Sequence, residues 1–476
     1  MPTIETDYLV IGAGAMGMAF ADTMVAESDA RMVIVDRNHQ PGGHWTRAYP
    51  FVRLHQPSAY YGVNSRELGS GSIDTGGWNQ GLAELATGGE VCAYFERVLE
   101  HDLLPTGRVR HFPMSEYLGD GLIRDMAGAE YTVSARRVVD ATYLQTVVPV
   151  MRPPAYEVAG GVECVAPNDL PLRAGGRDRF VVIGAGKTGV DVCLWLLRNG
   201  IGPDRLTWVM PRDAWLLDRA NIQADGVKAS FTARLAAIRA ADSVGDLFTR
   251  LEAAGSLLRL DGDVTPSMYR CATVSRAELD QLRRIPGIVR RGRVTRLEPG
   301  RVTLTGGDVT VDGDVLHIDC SADGLERRPG VPVFGADRIT LQSVRGCQQV
   351  FSAALIAHIE NGFDESAKND LCEPIPHPNS ALDWLGMTLA EQRNEVSWIE
   401  TPELMDWLAE SRLNLTAGMF RPILQRERAR ERLLAMLAKA LREANDALAA
   451  LMGSAAGADA GVARGTAGAR PGNHCG

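Results

Sequence analysis

Asp7–Phe20 read DYLVIGAGAMGMAF and Arg179–Val190 read RFVVIGAGKTGV. In each, an apolar run of strand character ends on Gly-x-Gly-x-x-Gly and continues as a helix-like stretch. The first set is Gly12, Gly14 and Gly17, the second Gly184, Gly186 and Gly189. The spacing is that of a dinucleotide-binding βαβ unit. Its first glycine makes the tight turn, its second lets a pyrophosphate reach the backbone, and its third lets helix and strand pack closely. The helix N-terminus then offers unpaired N–H groups and partial positive charge to the phosphates.

After the first motif, Met16, Phe20 and Met24 give a helical apolar face, and a second apolar run ends VIVDRNHQPGGHW, Val33–Trp45. Asp36 lies at the distance from Gly12 where an acid binds adenosine ribose hydroxyls. After the second motif, Val190, Leu194 and Leu197 form the helical face, with Gly200 as a C-terminal cap. The strand that follows, RLTWVMPRDAW, ends on Pro211-Arg212 and offers no acid. Arginine suits a 2′-phosphate that an acid would repel, so the second site, with Lys187 and Thr188 in its turn, is expected to prefer NADPH. Two nicotinamides cannot usefully reduce each other, whereas a flavin and a nicotinamide exchange a hydride. The fold class is therefore α/β, with two Rossmann-like dinucleotide-binding domains.

The acid, the spacer, Gly42-Gly43 and Trp45, followed later by GAGKTG, resemble the two-dinucleotide flavoprotein monooxygenases. That group spans flavin-containing monooxygenases, N-hydroxylases and Baeyer–Villiger enzymes. The resemblance covers residues 5–365 and implies FAD at the first site and NADPH at the second. It implies that Asp36 binds the FAD ribose, that Gly43 passes close to the cofactor, and that Trp45 packs near the isoalloxazine. AYPFVRLHQPSAYYGV, Ala48–Val63, resembles the segment beside the flavin. Arg53, His55, Gln56 and Ser58 are its polar candidates there, with His55 and Gln56 as the catalytic pair. VVDATY and HIDCSADGL resemble the family's domain crossings, which puts Asp323 at the FAD, and the loop from Gln342 to Ser352 near the ring.

Two departures bear on chemistry. Baeyer–Villiger members commonly carry an acid where His55 stands, and a histidine there would bring pH dependence. Their F-x-G-x-x-x-H fingerprint is absent from Tyr156–Phe180, which contains no histidine. The resemblance then implies oxygen transfer from a peroxyflavin to a small molecule at nitrogen or sulfur, with molecular oxygen as co-substrate. The alternatives are an NADPH oxidase or reductase without oxygen transfer, and a nucleotide-binding protein without turnover.

The domain plan that follows has a discontinuous FAD domain, 1–150 and 315–365, with the NADPH domain, 176–314, inserted in it. A helical C-terminal region, 366–452, and a disordered Ala/Gly-rich tail, 453–476, complete the chain. On the helical region, Leu433, Leu434, Leu437 and Leu441 form a stripe that suits its own core or a homodimer contact.

Bulk properties agree. Of 476 residues, 45% are hydrophobic and 23% charged, values of a soluble globular protein. A net charge of −9 argues against a nucleic-acid partner, and no apolar run suits a membrane span. The N-terminus lacks a basic n-region, so a cytoplasmic protein is expected. Its eight cysteines are scattered without close pairs, which predicts reduced thiols, no redox-active disulfide and no metal site.

Overall fold

The computed structural model describes residues 3–426 and 428–466. Strand β1 (Thr3–Ile11), helix α1 (Ala15–Glu27) and strand β2 (Met32–Val35) form the first predicted unit. β2 runs parallel to β1, with Tyr8 opposite Met32 and Ile11 opposite Val35. All of β2 is buried, as a strand covered on both faces requires. β3 (Val109–Phe112) extends the sheet beyond β2. On the other side, β6 (Glu130–Asp140) pairs parallel with β1. The antiparallel β5 (Leu122–Asp125) and β4 (Ser115–Gly119) follow, giving the order β3-β2-β1-β6-β5-β4. Strand Arg338–Thr340 also joins β6.

The chain returns to this sheet through helix Gln349–Gly362, which packs on α1. Phe351, Leu355, Ile356 and Ile359 are buried, so the helix is a core element and not an amphipathic surface one. Glu360, near its end, accepts from Tyr8 Oη at 2.8 Å, Arg137 Nη1 at 2.7 Å and Lys368 Nζ at 2.6 Å. A buried carboxylate needs such partners to offset its desolvation.

The second unit has its own parallel sheet centred on Arg179–Ile183. Leu206–Val209 and Gly287–Val289 lie on one side, Val315–Asp319 and Cys164–Val165 on the other. Val315–Asp319, assigned from sequence to the returning FAD-domain segment, therefore belongs to the inserted unit's sheet. The apolar run VLHID fits either sheet, and only its pairing with Arg179–Ile183 decides. A three-stranded sheet of Ala214–Asp218, Leu257–Leu258 and Met268–Val274 stands beside it.

Helices dominate after residue 366, as expected: Ala381–Ile399, Pro402–Glu410, Ala417–Leu424 and Arg430–Thr466. Leu434 and Leu441 are buried, and the last helix packs against Ala381–Ile399 and Val227–Ala240 of its own chain. The leucine stripe thus meets this chain's core. That helix continues to Thr466, through the first part of the stretch expected to be disordered. Residues 467–476, with Cys475, lie outside the described residues.

Candidate functional site

The two glycine turns are built alike. Gly12 has φ +101° and Gly184 φ +129°, left-handed values that side chains resist. A Cβ on Gly17 would lie 2.0 Å from the Gly12 carbonyl oxygen, and one on Gly189 2.1 Å from that of Gly184. Neither contact is tolerable, so the third glycine of each motif is required by packing. Gly14 and Gly186 differ: they are the N-caps of α1 and of helix Lys187–Arg198, both extended, and neither helix has a side-chain cap. Both helix starts therefore keep backbone donors available for an anion.

Both turns open on one cavity of about 1380 Å³, lined by Gly12, Gly14 and Asp36 at one place and by Gly186, Lys187 and Thr188 at another. Single-ligand pockets typically hold about 300–1,000 Å³, so the space suits two dinucleotides better than one.

Asp36 is buried and holds the first turn together. Its Oδ2 accepts from Ala13 N at 2.6 Å, and its Oδ1 from Asn38 N at 2.7 Å and Asn38 Nδ2 at 2.9 Å. It still lines the cavity, and Oδ2, which takes a single bond, retains acceptor capacity for a ribose hydroxyl. Gly42 and Gly43 have φ +124° and +57°, and a Cβ on Gly43 would stand 3.0 Å from Gly14 Cα. The two glycine backbones meet at the cavity wall. Trp45 follows in a short 3-10 turn, and its indole Nε1 donates to Tyr61 Oη at 2.7 Å, which fixes the ring on the lining.

Arg53, His55 and Gln56 line the same cavity. Arg53 donates to the Leu85 carbonyl at 3.0 Å and Gln56 Nε2 to the Tyr60 carbonyl at 3.2 Å. His55 Nδ1 accepts from Thr273 N at 3.2 Å, so a neutral ring carries its proton on Nε2. Burial, then the Lys187 and Arg219 charges, push its pKa well below the ordinary histidine value. Both influences favour the neutral imidazole at this position. Ser58 is not on the cavity wall. Its hydroxyl donates to the Glu84 carbonyl at 2.9 Å and accepts from Ala86 N at 2.7 Å, a structural role. Gln342 likewise spends its amide on Val331, while the later part of its loop, Gly346–Val350, does reach the cavity.

On the second side, Lys187 pairs with Asp191, which also accepts from Tyr49 Oη at 2.7 Å. The segment beside the first site is thus tied to the second helix. Arg212 is not on the cavity wall; its Nη2 donates to Asn379 Oδ1 at 2.9 Å. The same oxygen takes two bonds from Arg270, whose Nη1 also reaches Asp323 Oδ1 at 3.1 Å. Arg327 meets Asp323 Oδ2 at 3.2 Å. Asp323 lines the cavity but serves this arginine group and does not stand alone as an FAD ligand. Burial lowers the Arg212 pKa, and Arg270, Arg293 and Arg327 lower it further, with Asp323 opposing them. Arg270 and Arg327, which join Arg212 in this group, are far from it along the chain, and that separation carries no sequence signal.

Cysteine placement departs most from expectation. Cys271 and Cys347, 76 residues apart, form a disulfide with Cα atoms 6.6 Å apart, and both line the cavity. Proximity of this kind comes from docking strand Met268–Val274 against the loop before helix Gln349–Gly362, which no linear spacing reveals. Among the described residues no cluster of metal ligands occurs, and no helix is long and apolar enough to cross a membrane.

The model of an NAD(P)-binding Rossmann-like domain matches residues 10–63. An uncharacterized protein of Mycobacterium tuberculosis, Rv2000, is 61% identical over 460 residues, 95% of this chain and 86% of that protein. The uncharacterized Mb2023 of Mycobacterium bovis matches to the same extent. Among solved structures, the open form of cyclohexanone monooxygenase aligns at 17% identity and TM-score 0.45, over 75% of this chain and 88% of that one. A flavin-containing monooxygenase from Stenotrophomonas maltophilia aligns at 14% and TM-score 0.39, over 85% and 99%. Likeness at that level says nothing of what this chain binds or turns over.

Proposed function

The chain belongs to one family with these mycobacterial proteins, and from that footing we propose that it is an FAD-dependent, NADPH-using monooxygenase acting on a small molecule at nitrogen or sulfur. The single observation that carries this reading is the meeting of two glycine-turn helix starts, both uncapped, on one cavity of about 1380 Å³. The residues fit the groups. Gly14 and Gly43 leave backbone bare where a pyrophosphate would lie, and Asp36 stands at the ribose position. Gly186, Lys187 and Thr188 do the same for the second nucleotide, with Arg270 on the cavity wall, and Arg212 and Arg327 joined to it through Asn379 and Asp323, as the cluster for a 2′-phosphate.

Flavin, when bound, supplies the two-electron and oxygen chemistry. The chain's own residues bind, orient and exclude water. Trp45 and Tyr61 form a rigid aromatic wall. His55, whose Nδ1 accepts from Thr273 N, would offer Nε2–H as its donor, and Gln56 is the neighbouring amide. No side chain need act as a nucleophile.

The first test is the visible spectrum without oxygen, before and after NADPH. A flavin spectrum that bleaches is expected. A colourless protein that FAD cannot reconstitute would overturn the proposal. Oxygen-isotope incorporation into product separates oxygenation from the oxidase alternative, which returns all its electrons as peroxide.

Cofactor preference gives a second expectation. Arg212→Ala should raise KM for NADPH about tenfold and leave that for NADH within about twofold, since one charge-assisted bond contributes about 1.5–3 kcal/mol. Equal effects on both would remove the 2′-phosphate assignment.

A further inference from the structure

Cys271 and Cys347 share unusual backbone and a place on the cavity wall. Each lies in left-handed backbone, φ +56°, two of five such non-glycine positions among the described residues. Cys271 occupies a register irregularity in strand Met268–Val274, where Trp215 pairs with Tyr269 but Leu217 pairs with Thr273. Bulges of this kind re-aim a side chain and gather beside active sites. Thr273, two residues on, donates its N–H to His55 on the cavity wall. Cys347 immediately precedes Gln348, the N-cap of helix Gln349–Gly362. A helix start favours a thiolate, the form that leaves when a disulfide is reduced. Both cysteines line the cavity onto which both glycine turns open, as does the free Cys320, whereas Cys193 and Cys372 do not.

We propose that Cys271 and Cys347 form a reversible disulfide/dithiol couple inside the cofactor cavity, reduced by the protein's own nicotinamide electrons passed through its flavin. This rests on the proposed function. The S–S bond breaks, two electrons enter, and each sulfur ends with a proton: NADPH + H⁺ + disulfide gives NADP⁺ + two thiols. NADPH supplies one hydride and solvent the proton. The couple gives the protein a second two-electron store. Its opening also releases a covalent tie between the inserted unit and the loop leading back to the first sheet.

The test uses the full-length flavin-loaded protein, oxidised with diamide and then titrated with NADPH without oxygen. Flavin absorbance is followed, and the same samples are quenched in acid, alkylated and mapped by mass. Wild type should consume two equivalents of NADPH per flavin, with alkyl groups appearing on both Cys271 and Cys347. Cys347→Ser should consume one. A flavin that bleaches after one equivalent while the Cys271–Cys347 peptide stays linked overturns the couple and leaves the proposed function standing. Failure of diamide to link the two peptides overturns it too. A flavin that dithionite bleaches and NADPH does not would defeat the nicotinamide half of the proposed function, and this step with it.

Discussion

Arg345→Ala should lower stability by about 3–5 kcal/mol, the loss expected when one member of a buried ion pair is removed. Arg345 is 1% exposed. Its Nη2 meets Glu395 Oε1 at 3.1 Å, and its Nη1 bonds Asn414. Its guanidinium lies over the rings of Phe351 and Trp398, 4.7 and 5.0 Å from their centroids. The residue thus joins the cavity loop, helix Gln349–Gly362, helix Ala381–Ile399 and the loop at Asn414 at one buried point. Truncation would leave Glu395 without its cation. Burial already raises that carboxyl, Glu391 adds to the rise, and Arg345 opposes it.

The sign of the pH effect follows. Without Arg345 the Glu395 pKa rises further, so the folded state keeps a proton that the unfolded state releases above about 4.3. Stability then falls as pH rises above that value. Urea unfolding at several pH values measures both effects. Adding Glu395→Gln should recover part of the loss and flatten the pH dependence. Independence of the two substitutions would show that the pair is not coupled.

Gly14→Val should fold and purify without flavin. The backbone at Gly14 is ordinary, φ −74°, and a Cβ there meets nothing nearer than Gly43 Cα at 3.6 Å. Loss of a tolerated N-cap costs about 1 kcal/mol. The new methyl groups would nevertheless fill the space where a pyrophosphate approaches the helix start. Gly17→Val is the contrast: its Cβ would stand 2.0 Å from a carbonyl oxygen, so this variant should fail to fold. The ratio of flavin to protein absorbance, read beside a thermal unfolding curve, distinguishes the two. Normal flavin content in Gly14→Val would show that the first turn is not the FAD site.

The sequence by itself determined what is local. Two strand–turn–helix units were legible because the turn needs glycine at set positions, and burial needs apolar residues at the strand and helix periods. Asp36 was legible because the length of one βαβ unit sets its distance from Gly12. Gly42-Gly43 announced a close approach, although only the structure showed Gly14 on the other side of it.

Tertiary structure alone decided whatever depends on long-range docking. Val315–Asp319 joined the second sheet by pairing, which its composition could not choose. Ser58 and Gln342 turned inward to satisfy buried backbone groups, a demand set by neighbours far along the chain. The His55 pKa is lowered by burial and by two cations from the other unit. Arg270 and Arg327 gathered around Asp323, and two cysteines 76 residues apart became bonded, because separate loops close on one cavity. Periodicity records which face of an element is buried; it does not record which distant element will cover that face.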